Sequence, residues 1–258
     1  MASFRKARRD APEGFFATEA AGLRWLAVDG GPRVVRVHDV QDHHLDLERL
    51  APGEPAPRAA RAFGRALARM HDAGAPAFGV LPPGARRGFF GPLDDPLEMV
   101  AGSWDTWPTF YAEARLRPVL RQGRGRGVFD DRDETAVEAV CERLVDLAGP
   151  DEPPARLHGD LWSGNLQWTA GDDGGSEVVL IDPAAHGGHR ETDLAMLALF
   201  GAPYLDEILA GYEDAHPSAA GRRDRVGLHQ LYPLAVHAVL FGGGYVEQTR
   251  RLLADLAA

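Results

Sequence analysis

Cysteine, lysine and long apolar runs are all scarce in this 258-residue sequence. Its single cysteine, Cys141, excludes an internal disulfide framework and suits a reducing compartment. No apolar segment approaches the roughly 18 residues of a membrane-spanning helix, and the basic N-terminus is not followed by the apolar run of a signal peptide. These absences predict a soluble, cytoplasmic protein with no membrane partner.

The charge balance is acidic, with a formal net charge of -10. Clustered Lys and Arg bind nucleic acids, so this balance argues against nucleic acid as a partner. All but one of the 28 Lys and Arg residues are arginines, and the exception is Lys6. A lone ammonium in an arginine-rich chain indicates a position that needs a compact cation, and a solvated basic N-terminus is the alternative.

Hydrophobic periodicity divides the chain into a small mixed lobe and a larger, mainly helical lobe. The small lobe, residues 1–50, contains a predicted helix at 14–26 and predicted strands at 34–37 and 45–50, and a Pro-rich linker follows at 51–57. The larger lobe, residues 58–258, has predicted helices at 58–73, 107–120, 133–148 and from 193 onward. It also has a predicted loop at 75–96 and a second loop that precedes a predicted buried strand at 178–181. Glycines at 242–244 separate the last two helices. The expected class is α+β.

Three polar residues lie at the edges of apolar segments: Asp160, Asn165 and Asp182. An unpaired charge or amide costs roughly several kcal/mol to bury, so such groups need a partner, a metal or a substrate. A carboxylate, an amide five residues later and a second carboxylate after a buried strand are typical of magnesium-dependent phosphoryl transfer. The spacing matches the D-x-x-x-x-N pattern of kinase catalytic loops. Asp160 is predicted to accept the proton of the attacking hydroxyl, and Asn165 and Asp182 are predicted to hold Mg²⁺.

Each of these residues also has a purely structural interpretation. Asp160 can cap a turn, Asn165 can occupy a left-handed backbone position, and Asp182 precedes a proline as an ordinary turn residue. A different function is a metallohydrolase, whose ligands would come from His158, Asp160, Asp182, His186 and His189. His158 is also explained as a structural residue of the catalytic loop, bonded to the backbone.

Upstream residues follow the order expected of a kinase. Lys6 is predicted to neutralise nucleotide phosphates, and Glu19 on the next helix is predicted to hold its ammonium in an ion pair. An exposed helix charge is the alternative for Glu19. The segment from Leu47 to Leu50 is predicted to join the two lobes, where backbone groups can meet an adenine edge, and Glu48 and Leu50 are the candidate contacts.

Two motifs, LHGDLWSGN at 157–165 and LIDPAAHGGHRETDLAMLALFG at 180–201, resemble the signatures of the fructosamine kinase (ketosamine 3-kinase) family. That family is related to the aminoglycoside phosphotransferases and has a protein-kinase-like fold. Further similar segments are SFRKA, FFATEAAGLRWL, FYAEARLRPVL and QLYPLAVHAVLFGGGY, so that the resemblance covers nearly the whole chain.

The resemblance implies ATP-dependent phosphorylation of a ketosamine, such as a fructosamine or ribulosamine, at the sugar 3-hydroxyl. The product sheds the sugar, so the implied role is deglycation of small amines or proteins, with ATP and Mg²⁺ as cofactors. Asp160 would be the base, with an ordinary pKa of about 3.9. Trp162 either stacks on the sugar or packs in the core. Arg190, Glu191 and Asp193 are predicted to form a buried polar scaffold under the site.

The N-terminus departs from the family pattern. Members begin with two further strands joined by a phosphate-covering loop, whereas five residues precede Lys6 here. The expectation is therefore a chain whose start is misassigned or truncated, or a small lobe without this loop and with an exposed sheet edge. Two alternatives stay open: another small-molecule kinase of the aminoglycoside phosphotransferase type, and a pseudokinase that binds a ligand or partner without catalysis.

Overall fold

The computed structural model describes residues 3–171 and 175–258. The N-terminal elements are β1 (Ser3–Ala7), α1 (Phe15–Leu26), β2 (Arg33–Val34), β3 (Val37–Gln41) and β4 (His44–Glu48). The others are α2 (Pro57–Asp72), β5 (Gly88–Phe90), β6 (Leu97–Met99), α3 (Trp107–Tyr111), α4 (Arg117–Gly125), α5 (Asp131–Leu147), β7 (Ala155–Leu157), β8 (Leu166–Ala170), β9 (Ser176–Leu180), β10 (His186–Gly188), α6 (Arg190–Phe200), α7 (Leu205–Ala215), α8 (Arg222–Phe241) and α9 (Gly244–Ala257). Part of the loop predicted before 178–181, residues 172–174, lies outside the described residues. The predicted α+β class is confirmed.

In the small lobe, α1 packs on an antiparallel sheet of order β1-β4-β3. Leu45 and Leu47 are buried on β4 and alternate with less buried residues, so one face of the strand meets the helix. Phe16 and Leu23 of α1 belong to the same apolar cluster. The helix predicted at 14–26 is thus confirmed, and it begins after Gly14, whose φ of 80° suits glycine.

The strand predicted at 34–37 is wrong as a single element, because its ends belong to different sheets. Val34 lies in β2, which pairs in parallel with β9, and the next N–H, that of Val35, donates to the Leu180 carbonyl. Val37 begins β3 and pairs with Leu47 of β4. Residues of the predicted small lobe therefore complete the β2-β9-β8 sheet.

The loop predicted at 75–96 is also wrong in part, since β5 lies within it and pairs with β6 as a hairpin. The hairpin lies over α1: Phe89 and Phe15 have ring centroids 5.4 Å apart, and Thr18 Oγ1 donates to the Arg87 carbonyl at 2.7 Å. Two phenylalanines of a short strand are thereby brought to the cleft between the lobes.

The helices predicted at 58–73 and 133–148 correspond to α2 and α5, whereas the helix predicted at 107–120 is interrupted by a π-helical turn at Ala112–Leu116. Pro118 has no N–H to donate to the Ala114 carbonyl, which instead accepts a bond from Arg115 Nη1 at 2.9 Å.

The division between the last two helices at Gly242 and Gly243 is confirmed. No helix in the described ranges is long and apolar enough to cross a membrane.

Candidate active site

The LHGDLWSGN motif lies in the loop that follows β7, and a buried carboxylate from α6 holds that loop. Asp193 accepts hydrogen bonds from the backbone N–H groups of His158 (2.8 Å) and Gly159 (2.9 Å). Its Oδ2 also contacts His71 Nε2 at 3.2 Å. Gly159 has a φ of 81°, and a Cβ there would lie 2.2 Å from the Ala184 carbonyl oxygen. A glycine is therefore required where the loop crosses the segment after Asp182.

The predicted polar scaffold under the site is confirmed. Arg190, Glu191 and Asp193 are all buried. Glu191 forms a two-pronged ion pair with Arg225 of α8, at 2.5 and 3.0 Å, and Arg190 Nε lies 2.6 Å from Glu152. These ion pairs connect α6 to α8 and to Glu152, which precedes β7.

Replacing Asp193 by alanine is expected to lower the free energy of unfolding by about 3–5 kcal/mol, because two buried N–H groups and His71 lose their acceptor. Chemical denaturation monitored by circular dichroism measures the change. Asp255→Ala, at an exposed position on α9, is the matched control and should change stability by about 0.5 kcal/mol or less. Equal stabilities of the two variants would contradict the scaffold role of Asp193.

Asp160 and Asn165 lie against each other at the base of the cleft. The Asn165 amide nitrogen donates to the Asp160 carbonyl at 2.8 Å, to Asp160 Oδ2 at 3.2 Å and to the Asp182 carbonyl at 3.4 Å. Asn165 lies in a short 3₁₀ helix at Ser163–Asn165, so the left-handed interpretation of this residue is wrong.

The expectation of an ordinary pKa for Asp160 is wrong. Burial raises the pKa of this carboxyl to about 7, and the hydrogen bond from Asn165 only partly opposes the shift. The negative charge of Asp182 raises the pKa further. The pKa of Asp160 therefore lies near neutral pH, within the range that a general base requires.

The left-handed backbone position predicted for Asn165 occurs instead at Asp182, where φ is 51°. A non-glycine residue in this region costs on the order of 1–3 kcal/mol and persists where its surroundings impose it. The carboxylate of this residue lies beside Lys6, with Nζ 3.3 Å from Asp182 Oδ1. Asp182 is therefore more than an ordinary turn residue before a proline.

The predicted ion pair between Lys6 and Glu19 is present, with Nζ and Oε2 2.8 Å apart. Burial alone would lower the pKa of Lys6, but the carboxylates of Glu19 and Asp182 together raise it. Glu19 is itself buried, so the alternative of an exposed helix charge is wrong. Lys6 thus remains an ammonium at the junction of the two lobes.

Two cavities meet at this junction. The Asp160 cavity, of about 490 Å³, reaches from Lys6 and Asp160 to the C-terminal helices. The Leu50 cavity, of about 380 Å³, lies on the other side and is lined by Glu48 and Leu50. Lys6 and Asp182 line both cavities. A group bridging the cavities would pass directly over these two charged side chains.

The two candidate adenine contacts differ in their surroundings. Glu48 is already engaged, because its carboxylate pairs with Arg33 and its N–H donates to the Arg36 carbonyl at 2.8 Å. Leu50 lies beyond the end of β4, and none of the bonds formed among the described residues uses its backbone. The structure brings both residues to the Leu50 cavity but leaves the backbone of Leu50 freer to bind a ligand.

Trp162 lines the Asp160 cavity and is 39% exposed, so its interpretation as a core residue is wrong. Its ring meets Phe200 edge to face at a centroid distance of 6.2 Å. The indole is therefore held on the cavity wall with much of its surface open to a ligand.

The metallohydrolase alternative fails on geometry. His158 Nε2 lies 2.9 Å from the Ile181 carbonyl, and His186 Nδ1 lies 2.9 Å from the Ala184 carbonyl. Among the described residues, two clusters of His, Asp or Glu side chains lie close enough together to share a metal ion. One consists of His189, Glu191 and His229, and the other of Asp39, His44 and Asp46. Neither group contains Asp160 or Asp182, so the proposed ligand set is not brought together.

Several residues of the site were not predicted from the sequence. His71 and the hairpin residues Phe89 and Phe90 are examples, as are Phe241 and Tyr245 at the far end of the Asp160 cavity. His71 could have been found in the sequence, because it is a polar residue on the apolar face of the predicted helix at 58–73. Phe241 and Tyr245 could have been found because they are aromatic residues on either side of three consecutive glycines.

Comparison with known proteins decides the family. The sequence model of the family described as "Fructosamine kinase" matches residues 2–258. The chain belongs to the fructosamine kinase family. As a member of this family it is a kinase, and ATP is the phosphoryl donor that membership implies.

Relatives agree in sequence and structure. A protein of Lactiplantibacillus plantarum named "Probable ketoamine kinase" is 34% identical, over 93% of this chain and 81% of its own length. The crystal structure of a "putative fructosamine-3-kinase" from Thermobifida fusca is 46% identical, with a TM-score of 0.88, over 98% of this chain and 85% of that one. The choline kinase LicA of Streptococcus pneumoniae shares the fold alone. It is 15% identical, with a TM-score of 0.60, over 99% of this chain and 85% of that one. The fold is thus protein-kinase-like.

Proposed function

We propose that this fructosamine kinase family member transfers the γ-phosphoryl group of ATP to the sugar 3-hydroxyl of a ketosamine, a fructosamine or a ribulosamine. One observation carries the proposal: Lys6, Asp160, Asn165 and Asp182 converge where the two cavities meet. A nucleotide in the Leu50 cavity and an acceptor in the Asp160 cavity would then meet at these residues.

On the nucleotide side, Lys6 binds the phosphates and Glu19 holds the ammonium in place. Leu50 and Glu48 line the space for the adenine ring. The donor set fits Mg²⁺: Asn165 directs its amide nitrogen to Asp160, so its oxygen remains for a cation, and the Asp182 carboxylate is 43% exposed. When bound, Mg²⁺ neutralises charge on the phosphates. Asn165 and Asp182 are the residues that would hold it.

On the acceptor side, Asp160 accepts the proton of the attacking sugar hydroxyl. The hydroxyl oxygen bonds to the γ-phosphorus, the bond to the bridging oxygen breaks, and ADP leaves. Asn165 donates to Asp160 Oδ2 and fixes the direction in which the carboxylate faces. Trp162 presents its exposed ring surface to the sugar.

The resulting 3-phosphate would lead to loss of the sugar and recovery of the free amine, so we propose a deglycation role in the cytoplasm. The amine can be a small molecule or a protein side chain. The chain spans 81% and 85% of the two relatives described above, and it retains the catalytic carboxylates and the lysine expected of an active kinase. This retention favours an enzyme over a pseudokinase.

An ADP-release assay tests the proposal directly. We expect turnover with magnesium, ATP and fructosyl-lysine or ribulosyl-lysine, and none with unmodified lysine. Choline and an aminoglycoside serve as acceptors of the competing kinase types. Turnover with either of those and none with ketosamines would reject the proposed acceptor, and ATP binding without turnover of any acceptor would favour the pseudokinase.

The pH dependence follows from the pKa of Asp160, which burial raises to about 7. The carboxylate is the active form, so kcat/KM for the ketosamine should fall about tenfold per pH unit below this value and level off above it. The profile is measured with both substrates below saturation, where it reports the free enzyme. The residual rate of Asp160→Asn should have no such acidic limb. A wild-type profile that is flat between about pH 5.5 and 8 would contradict the role of Asp160 as base.

A further inference from the structure

The corner between α8 and α9 lies at the end of the Asp160 cavity. Gly242 has φ 63° and ψ -145°, and Gly243 has φ 58° and ψ -135°. Glycine alone adopts these conformations readily, so Gly242 and Gly243 permit an abrupt turn that other residues would not make. The turn places Phe241, the last residue of α8, and Tyr245, in the first turn of α9, on the cavity wall.

The two rings belong to an aromatic cluster that continues into the cavity. Centroid distances are 6.4 Å between Phe241 and Tyr245, 5.5 Å between Phe241 and His237, and 4.7 Å between Phe200 and His237. Phe241 is nevertheless 58% exposed, although soluble proteins usually cover so large an apolar ring. A ligand in the cavity would cover it.

Charge is distributed unevenly around this cavity. Its charged side chains are Lys6, Glu19, Asp160 and Asp182, and all four belong to the catalytic end. Of the remaining lining residues, Thr18, Asn165 and His237 already form hydrogen bonds within the protein. The rest of the wall is apolar or aromatic, and it includes the α8–α9 corner and Phe89 and Phe90 of the hairpin. An ionic group there would lose water without gaining an oppositely charged partner, whereas an apolar group would gain from burial.

The chemistry of a ketosamine orients it in the cavity. The reacting 3-hydroxyl must lie at Asp160, and the amine nitrogen is attached at carbon 1 of the sugar, so the amine substituent extends away from the catalytic end. We propose that the α8–α9 corner selects ketosamines whose amine carries an aromatic or other apolar substituent over those whose substituent is charged. This inference rests on the proposed function and specifies the substrate class for the same site.

The test compares kcat/KM for N-fructosyl-phenethylamine and for fructosyl-lysine as the free amino acid, whose substituent carries an ammonium and a carboxylate. We expect the apolar substrate to be favoured by about tenfold or more. Phe241→Ala and Tyr245→Ala should each reduce this ratio, chiefly by raising KM for the apolar substrate. Phe241→Asp should shift the preference toward fructosyl-putrescine, whose substituent is cationic.

Tyr204→Asn is the matched control. Tyr204 is an exposed aromatic residue that lines neither cavity, and asparagine tolerates its left-handed backbone, with φ of 55°. The control should keep the wild-type ratio. Two results would overturn the inference and leave the proposed function intact. One is turnover in which the apolar substrate is not preferred over fructosyl-lysine. The other is a preference for the apolar substrate that survives in both alanine variants. Absence of turnover with every ketosamine would overturn the proposed function, and the inference with it.

Discussion

Asp160→Asn is expected to lower kcat for ketosamine phosphorylation by about 10²–10⁴-fold, the usual contribution of a positioned general base. Asparagine keeps the size of the side chain, but it cannot accept the hydroxyl proton at neutral pH. Nucleotide binding should persist, because Lys6, Glu19 and Asp182 remain in place. The ADP-release assay at saturating substrates measures the loss, and isothermal titration with ATP and magnesium measures the retained binding.

The matched control is Asp146→Asn, which makes the same chemical change at an exposed position on α5. It should leave kcat within about twofold of wild type, since surface substitutions rarely affect a distant site. An Asp160→Asn enzyme that keeps most of its kcat, with unchanged folding, would show that another group removes the proton.

Asp182→Asn is expected to abolish most of the magnesium-dependent part of ATP binding and to lower kcat/KM for ATP by about 10²–10³-fold. The substitution removes one negative oxygen from the predicted metal site and weakens stabilisation of the transferring phosphoryl group. Asparagine tolerates the left-handed backbone at this position, so the fold should survive. Titration of ATP with and without magnesium separates the metal-dependent component.

Asp94→Asn is the control for this prediction. Asp94 is 78% exposed and follows Leu93, which lines the Asp160 cavity, so it tests a loss of charge near the same cleft. The control should bind ATP with the same dependence on magnesium as wild type. If Asp182→Asn also retained that dependence, Asp182 would not be a metal ligand.

Short-range patterns predicted much of the catalytic centre. The five-residue spacing of Asp160 and Asn165 fixes their proximity within one loop, and the structure shows the expected contact. Lys6 and Glu19 lie on the first strand and the first helix, and their predicted ion pair is present. The roles of these residues in binding and transfer remain predictions.

Features that depend on distant parts of the chain were not predicted. The pKa of Asp160 depends on burial by surrounding structure, which a local pattern does not show. The strand predicted at 34–37 was wrong because Val34 pairs with Leu180, far along the chain. The β5 strand was missed because three residues between Gly- and Pro-rich stretches carry too little periodicity to distinguish a strand from a loop.

The most direct test of the proposed chemistry is the position of the phosphate in the product. Fructosyl-lysine labelled with ¹³C at carbon 3 is incubated with the protein, magnesium and ATP, and the mixture is followed by ³¹P and ¹³C NMR. We predict a new phosphate ester whose phosphorus couples to the proton bonded to the labelled carbon in a ³¹P–¹H correlation, together with one ADP per ester formed. An ester at another hydroxyl, or ADP with inorganic phosphate and unchanged fructosyl-lysine, would contradict the account.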